Sequence, residues 1–327
     1  MQKPAQPAAD ALHKPAPAVA RWTPDVLAVA YDDDLLGWQL GTDHPTNPVR
    51  AKLAVERLQQ MQVPLVVEPI SWQLGGELAS VHDSGYVSET LEQGRNSEWL
   101  GARRDLGRVA AHMFAGTVQL AHAIDAGQVK VGFSPQGAKH HAMADRGSGF
   151  CVFNDMAWAA QHFAAQGRQV LYVDLDAHHG DGVEALTRSN PSVTTCSVHD
   201  STIFPGTGRR HSPEDGVFNY PLAFGAGDAE LRQSVDTITE QARNTSPEVL
   251  LIAIGADGHE SDPLSTLQYT YAGYADAART LGALANDLGI PVLLGGAGGY
   301  QPLTHTADMG GVRRGDGALR LNVALCL

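Results

Sequence analysis

Residues 170–182 read VLYVDLDAHHGDG, an apolar run that changes within a few positions into a dense group of acids and histidines. The continuously apolar start is typical of a strand that is buried on both faces of a parallel sheet. The polar residues follow at the carboxyl end of this strand, where open α/β sheets bind their ligands. The stretch therefore predicts a parallel α/β sheet with a functional site at one end.

Similar apolar runs recur along the chain and alternate with longer amphipathic segments. We predict strands at 26–30, 129–133, 170–173, 193–198, 249–254 and 292–294, and helices at 49–61, 106–126, 154–165, 229–243 and 271–288. This order indicates an α/β fold with a mostly parallel sheet and helices on both faces. Since no long linker interrupts the alternation, we predict a single domain.

The two ends of the chain differ from this pattern. Residues 1–24 are rich in alanine and proline, which predicts a disordered or extended tail. The folded domain is predicted to cover residues 25–327. Its last segment, 308–327, contains several glycines and lacks a helical pattern, so we expect an atypical end.

Composition narrows the class of protein. The 36 acidic residues outnumber the 23 lysines and arginines and give a formal charge of −13, which argues against nucleic acid as a direct ligand and suits a basic substrate. The three cysteines form no CxxC pair, which favours a reducing compartment. Without a signal peptide or an apolar run long enough to span a bilayer, we expect a cytoplasmic protein that does not contact the membrane.

Carboxylates and a histidine at two strand ends form a candidate metal site. Asp176 and His178 are two positions apart, so they point the same way on an extended segment. Asp257 ends a second apolar run, EVLLIAIGAD at 248–257. Carboxylate and imidazole groups are common ligands of divalent metals. The strand ends predict a metal site on these residues without fixing the number of ions.

Two consecutive histidines, His140 and His141, lie in a glycine-flanked loop that follows another predicted strand. Histidine suits proton transfer because its unperturbed pKa is near neutral pH. Asp174 and Asp181 are available at the acidic strand end to orient the two rings. Tyr300 follows the glycine-rich turn GGAGGY at 295–300, where the backbone can approach a ligand closely.

Taken in order, several segments resemble the histone deacetylase superfamily, especially its bacterial acetoin-utilisation branch. They are HPTNPVR (44–50), HHA (140–142), GFCVFND (149–155), VDLDAHHGDGVE (173–184), FPGTG (204–208), GADGHESDPLSTL (255–267) and GGYQP (298–302). The likeness covers about residues 26–303. It implies the arginase/deacetylase fold with an eight-stranded sheet, and a metal-dependent hydrolase that removes acetyl groups from lysine or from a related small amine.

The resemblance also implies roles for individual residues. Asp176, His178 and Asp257 resemble zinc ligands, and a site of this composition also accepts Fe(II). The pairs His140–Asp174 and His141–Asp181 resemble the two His–Asp pairs of the family, and Tyr300 resembles its carbonyl-binding tyrosine. The remaining implied groups are the channel walls Gly149, Phe150 and Phe204, and a potassium site at Asp174, Asp176, His178, Ser197 and Val198.

Some segments depart from the family pattern. The loop 91–105 has no clear counterpart of the acidic residue that holds the substrate backbone, and Glu98 is its nearest acid. Lys139 precedes the histidines where relatives usually have glycine, and an orientation towards solvent would account for a cation so close to the metal.

Three alternatives stay open: an acetylpolyamine amidohydrolase, a binuclear manganese ureohydrolase, and a binding module that has lost catalysis. The sequence leaves the oligomeric state open.

Overall fold

A computed structural model describes residues 22–61 and 63–301. The strands of its sheet are β1 (Leu27–Ala30), β2 (Leu65–Glu68), β3 (Val131–Ser134), β4 (Val170–Asp174), β5 (Val193–Asp200), β6 (Val217–Leu222), β7 (Val249–Ala253) and β8 (Val292–Gly295). These eight strands form one sheet in the order β2-β1-β3-β8-β7-β4-β5-β6. All the pairings between them are parallel, which confirms the predicted α/β sheet and shows that the described part is parallel throughout.

Helices connect the strands. They are α1 (Val49–Gln60), α2 (Glu77–Val81), α3 (Ser84–Ser88), α4 (Arg104–Asp125), α5 (Asp155–Ala165), α6 (Asp181–Thr187), α7 (Asp228–Thr245) and α8 (Tyr271–Leu288). Helix α4 packs against β1 and β3, α5 packs against β4 and β7, and α7 packs against α8. Every residue of β4, β7 and β8 is buried, and because neighbouring side chains on a strand point to opposite faces, both faces of the sheet are covered there.

Local signals explain where the long helices begin and end. The Asn154 side chain accepts a hydrogen bond from the Ala157 N–H and starts α5, and Thr270 caps α8 in the same way. Helix α8 ends at Gly289, whose φ of 69° lies in the left-handed region that glycine adopts at low cost. The five helices predicted from periodicity are all present, with boundaries shifted by two residues or fewer.

The strands that periodicity did not predict are β2 and β6, the two edges of the sheet. All four residues of β2 are half-buried. Strand β6 has buried residues separated by half-buried ones, and its Pro221 is exposed. A strand with one open side needs less continuous apolar sequence, and proline is tolerated at an edge. The apolar-run criterion therefore finds the interior strands and misses the edges.

The predicted tail at residues 1–24 lies outside the described residues except for 22–24. Trp22 is buried, and its indole N–H donates to the Val66 carbonyl of β2 at 3.0 Å. The packed chain therefore includes Trp22, two residues before the predicted end of the tail. The segment 308–327 also lies outside the described residues. Across residues 22–61 and 63–301, no helix combines the length and the apolar character needed to cross a membrane.

Candidate active site

The loops that follow β4 and β7 bring Asp176, His178 and Asp257 together. The His178 Nδ1 atom is 2.9 Å from Asp257 Oδ2 and 3.1 Å from Asp176 Oδ1. Of the three clusters of possible metal ligands within the described residues, this is the one in which every member is buried. The structure therefore brings together the three side chains that follow these strands, and their role as metal ligands stays a prediction.

Backbone groups from neighbouring strand ends hold the two carboxylates. The Gly298 N–H donates to Asp176 Oδ2 at 2.6 Å, and the Ala177 N–H donates to Asp257 Oδ1 at 2.9 Å. There is no space for side chains around them, because a Cβ atom at Gly298 would lie 2.2 Å from Asp257 Oδ2 and one at Gly255 would lie 2.3 Å from Asp176 Oδ2. Glycine at these two positions lets the main chain close around the carboxylates.

The charges of the cluster fit a divalent cation. Burial and the charge of Asp176 raise the pKa of Asp257, since two carboxylates share one space that excludes water. Burial alone would also raise the pKa of Asp176, but His140 and His178 outweigh this effect and lower it. Two aspartates and one histidine form a ligand set suited to zinc or Fe(II). A bound cation would neutralise the charge that the carboxylates place in the interior.

The consecutive histidines are each paired with an aspartate. His140 Nδ1 is 2.7 Å from Asp174 Oδ2, and His141 Nδ1 is 2.7 Å from Asp181 Oδ1. Burial disfavours protonation of both rings, but the carboxylates of Asp174 and Asp176 outweigh it at His140 and raise its pKa to about 9. At His141, burial and the neighbouring His140 charge lower the pKa to about 4. The two rings therefore carry different charges at neutral pH.

Tyr172 is a member of this network that the sequence did not reveal. Its hydroxyl donates to Asp174 Oδ2 at 2.6 Å, while Asp174 Oδ1 accepts the Asp176 N–H at 3.1 Å. Tyr172 precedes Asp174 by two residues, so both side chains point to the same side of β4. That spacing was the available signal, but a tyrosine within a buried strand is equally expected from packing.

The predicted channel walls lie beside the metal cluster. The Phe204 ring is 5.0 Å from the His141 ring, and the Phe150 ring is 6.0 Å from the Tyr300 ring, both centre to centre. Gly149 has φ 55°, and a Cβ atom there would lie 2.5 Å from His141 Cδ2. Phe204 is 49% exposed, unlike a core residue, which places it at the outer end of the site.

Glu98 in the loop 91–105 supports a channel wall. Its Oε2 atom accepts the Phe150 N–H at 2.6 Å, and burial raises the pKa of its carboxyl group. Phe150 has φ 64°, in the left-handed region that is costly for a bulky residue, so this hydrogen bond helps to hold a strained turn. The structure thus connects Glu98 to the position of the channel wall.

Tyr300 lies next to the metal cluster on the loop after β8. Its backbone N–H donates to Asp262 Oδ2 at 2.7 Å, and its ring is 6.5 Å from the His178 ring. Burial and the charges of Asp257 and Asp176 raise the pKa of its hydroxyl well above the usual value, so the hydroxyl stays protonated. Asp262 was not singled out from the sequence, because its contact is with the main chain of a distant loop.

The residues of the predicted potassium site are neighbours across β4 and β5. Asp174 is directly opposite Ser197, and Val198 follows on the same strand. Ser197 Oγ is 3.0 Å from His199 Nδ1. Asp174, Asp176, His178, Ser197 and Val198 are all buried. The monovalent cation itself stays a prediction from the family resemblance.

The all-parallel α/β sheet brings buried carboxylates and imidazoles together at its strand ends, a set of groups suited to metal-assisted hydrolysis. Comparison with known proteins agrees. The family model of the histone deacetylase domain matches residues 44–311. The acetoin utilization protein AcuC of Staphylococcus aureus is 32% identical over 302 residues, covering 84% of this chain and 77% of that protein. The AcuC protein of Bacillus subtilis is 31% identical, covering 79% and 73%.

Solved structures show the same fold. The HDA15 HD domain superimposes with a TM-score of 0.77 at 26% identity, covering 92% of this chain and 93% of that one. An acetylpolyamine aminohydrolase from Burkholderia pseudomallei gives a TM-score of 0.74 at 22% identity, covering 91% and 97%. The chain belongs to the histone deacetylase family, and it is an amidohydrolase of the metal-dependent type.

Proposed function

We propose that this protein is a zinc-dependent deacetylase that acts on acetyl-lysine in proteins. The observation that carries the proposal is the position of the Asp176–His178–Asp257 cluster beside two His–Asp pairs and the half-buried Tyr300, all at one set of strand ends. The potassium ion of the family is proposed to stabilise the strand end around Asp174 and Ser197. A cytoplasmic location is proposed because the two described cysteines are unpaired.

Asp176, His178 and Asp257 would hold the metal, with Fe(II) as the alternative to zinc. When bound, such an ion polarises the amide carbonyl and lowers the pKa of a water molecule. The protein fixes the orientation of the two carboxylate ligands. Backbone N–H groups from two other segments hold the second oxygen of each carboxylate, so the ligands are positioned by the sheet.

His141 is proposed as the general base and acid. Its lowered pKa keeps the ring neutral, and Asp181 accepts the hydrogen bond of Nδ1, which leaves Nε2 free to take a proton from water. The water oxygen bonds to the acyl carbon, the carbon–nitrogen bond breaks, and the proton passes from Nε2 to the leaving amine. His140, whose pKa is raised, contributes positive charge near Asp176.

Tyr300 is proposed to donate a hydrogen bond to the carbonyl oxygen as that oxygen becomes negative. Its raised pKa keeps the donor proton in place, and the hydrogen bond from its backbone N–H to Asp262 fixes the loop. Such a donor is typically worth about 3–4 kcal/mol in the transition state. The apolar rings of Phe150 and Phe204 suit the methylene stem of lysine, and the formal charge of −13 suits a basic substrate.

One ion per chain is proposed in preference to two. Two other carboxylates near the cluster are already engaged: Asp174 accepts hydrogen bonds from Tyr172 and His140, and Asp262 accepts the Tyr300 N–H. A second manganese ion would need carboxylate oxygens that are free to bridge. The binuclear ureohydrolase alternative therefore lacks ligands within the described part of the site.

The test is turnover of matched substrates by protein whose metal content is measured on the same sample. We expect one divalent ion per chain and higher kcat/KM for an acetyl-lysine peptide than for acetylspermidine or acetylputrescine. Exclusive turnover of the acetylpolyamines would replace the proposed substrate. Two manganese ions per chain with arginine or agmatine hydrolysis would contradict the proposal, and no turnover by metal-loaded protein would favour a binding module.

A further inference from the structure

Lys139 lines the same small cavity as the catalytic groups and does not point to solvent. Its side chain is 8% exposed, so the solvent orientation expected from the sequence is wrong. The cavity measures about 20 Å³ and is bordered by His141 and Tyr300 as well as by Lys139, Arg50 and Thr46. This volume holds one or two water-sized groups. The predicted channel residues Gly149 and Phe150 also line this cavity, so the channel and the two cationic side chains share one space.

The Lys139 ammonium has no hydrogen-bond or ion-pair partner among residues 22–61 and 63–301. The nearby Asp155 carboxylate is already occupied: it accepts the N–H groups of Lys139 and Ala138 at 2.7 and 2.9 Å and the Thr117 hydroxyl at 2.6 Å. The other neighbour, Cys151, stays a neutral thiol because burial raises its pKa to about 12. The charges of Asp155 and Asp176 favour protonation of Lys139, but burial outweighs them and lowers its pKa, and no group of the described chain hydrogen-bonds its Nζ atom.

Two further donors border the cavity. The Arg50 guanidinium donates to the carbonyl oxygens of Gly296 and Ala297, which are dipoles and not anions. The Thr46 hydroxyl is buried and has no hydrogen-bond partner in the described chain. Lysine and arginine can only donate hydrogen bonds, so the group that satisfies this end of the cavity has to be an acceptor. A buried cation without a partner is costly, and an anion removes that cost.

We propose that Lys139, with Arg50 and Thr46, forms a carboxylate-binding site at the buried end of the cavity, which recognises short acyl groups that carry a carboxylate. This proposal rests on the proposed deacylase function and specifies its acyl substrate. A malonyl or succinyl group on lysine would direct its free carboxylate towards Lys139, while the amide carbonyl stays beside Tyr300. The carboxylate released by hydrolysis offers the same chemistry, so it is the second possible source of the ligand.

The experiment compares the wild type with Lys139→Met, which keeps a side chain of similar length without the charge. Lys130→Met is the matched control, because Lys130 is exposed at the start of β3 and outside the cavity. For each protein, kcat/KM is measured on one lysine peptide carrying acetyl, butyryl, malonyl or succinyl groups. Inhibition of acetyl-lysine hydrolysis by acetate, malonate and succinate is measured in parallel.

We expect the wild type to prefer malonyl over butyryl lysine, and Lys139→Met to lower the ratio of malonyl to acetyl kcat/KM by about 10-fold or more, the typical effect of removing a charged hydrogen bond. The Lys130→Met control keeps the wild-type ratio. If the acidic acyl groups have no advantage but Lys139→Met weakens inhibition by acetate, the site holds the released carboxylate. Equal acyl ratios and equal inhibition in all three proteins would overturn the proposal.

A measurement independent of turnover separates this proposal from the proposed function. Malonate is expected to raise the Tm of the metal-loaded wild type and of Lys130→Met, and to raise that of Lys139→Met less. If no acyl amine is hydrolysed but this difference is found, the carboxylate site stands and the deacylase function fails. If acetyl-lysine is hydrolysed but malonate stabilises all three proteins equally, the deacylase function stands and the carboxylate site fails.

Discussion

Tyr300 depends on a single loop for its position beside the metal ligands. The hydrogen bond from its backbone N–H to Asp262 fixes the loop, and its ring contacts Phe150 and His178. The His178 contact is between rings 6.5 Å apart, and the Tyr300 hydroxyl makes no hydrogen bond to a ligand within the described chain. Its hydroxyl can therefore be removed without disturbing the Asp176–His178–Asp257 cluster.

We predict that Tyr300→Phe lowers kcat for an acetyl-lysine peptide by about 100- to 1000-fold, because the developing oxyanion loses a hydrogen-bond donor. Bound metal per chain is expected to stay at the wild-type value. Tyr220→Phe is the matched control. Tyr220 belongs to the edge strand β6, and its hydroxyl donates to Gln241 of α7. Wild-type kcat in the Tyr300 variant would exclude the proposed role.

The individual residues also show how far sequence reasoning reaches. Asp176, His178 and Asp257 could be grouped because each follows a strand, and strands of a parallel sheet end at the same edge. Lys139 and Asp262 could not be placed, because their surroundings depend on loops from distant parts of the chain. The orientation of Lys139 was mistaken for this reason: a charged residue is usually exposed, and the cavity that receives it is a tertiary feature.

Among the elements, His82 connects α2 to the loop that follows His140 and His141. It follows the last residue of α2, and its Nε2 atom accepts the Asn154 N–H at 2.8 Å. Nδ1 must then carry the proton, which it donates to the Met143 carbonyl at 2.8 Å. Burial lowers the pKa of His82, so the folded protein keeps this ring neutral. Protonation of Nε2 would remove the acceptor of the Asn154 N–H.

This contact predicts a dependence of stability on pH. The folded state has the lower pKa, so the stabilisation is complete above the unfolded pKa of about 6.5 and is lost as pH falls below it. Between pH 7.5 and 5.5, we expect Tm to fall more for the wild type than for His82→Gln. The same substitution at exposed His211 serves as control. Parallel pH curves for the wild type and His82→Gln would contradict the prediction.

The strands show why a fold can be predicted more completely at its centre than at its margins. Strands β4, β7 and β8 are buried along their whole length and appear in the sequence as apolar runs. Strand β2 packs with one open side, and its residues are half-buried, so LVVE at 65–68 carries no clear signal. The family resemblance supplied the count of eight strands, and the structure shows where the remaining two lie.

At the scale of the whole molecule, the metal site places negative charge in the interior of an already acidic protein. Asp176 and Asp257 are almost completely buried, and the charge of Asp176 raises the pKa of Asp257. His140 and His178 compensate part of this charge, and a bound divalent ion would add to that compensation at two central strand ends. Metal binding and global stability are therefore coupled.

We predict that chelation of the metal lowers the Tm of the wild type, and that restoring zinc at about 100 times its Kd returns about 2.7 kcal/mol of stability. Asp257→Asn removes one of the three proposed metal ligands and keeps the size of the side chain. Zinc should then stabilise it little. Asp236→Asn, an exposed change on α7, is the control. The prediction fails if zinc stabilises the Asp257 variant as strongly as the wild type.

The position of β8 has a consequence for the order in which the molecule is built. Although β8 is the last strand along the described chain, it lies between β3 and β7 near the middle of the sheet. Until the ribosome has delivered it, the earlier strands can form only two separate groups, β2-β1-β3 and β7-β4-β5-β6. The backbone group that holds Asp176, at Gly298, arrives after β8 as well. A nascent chain that stops short of this strand therefore has neither a continuous sheet nor a finished catalytic centre.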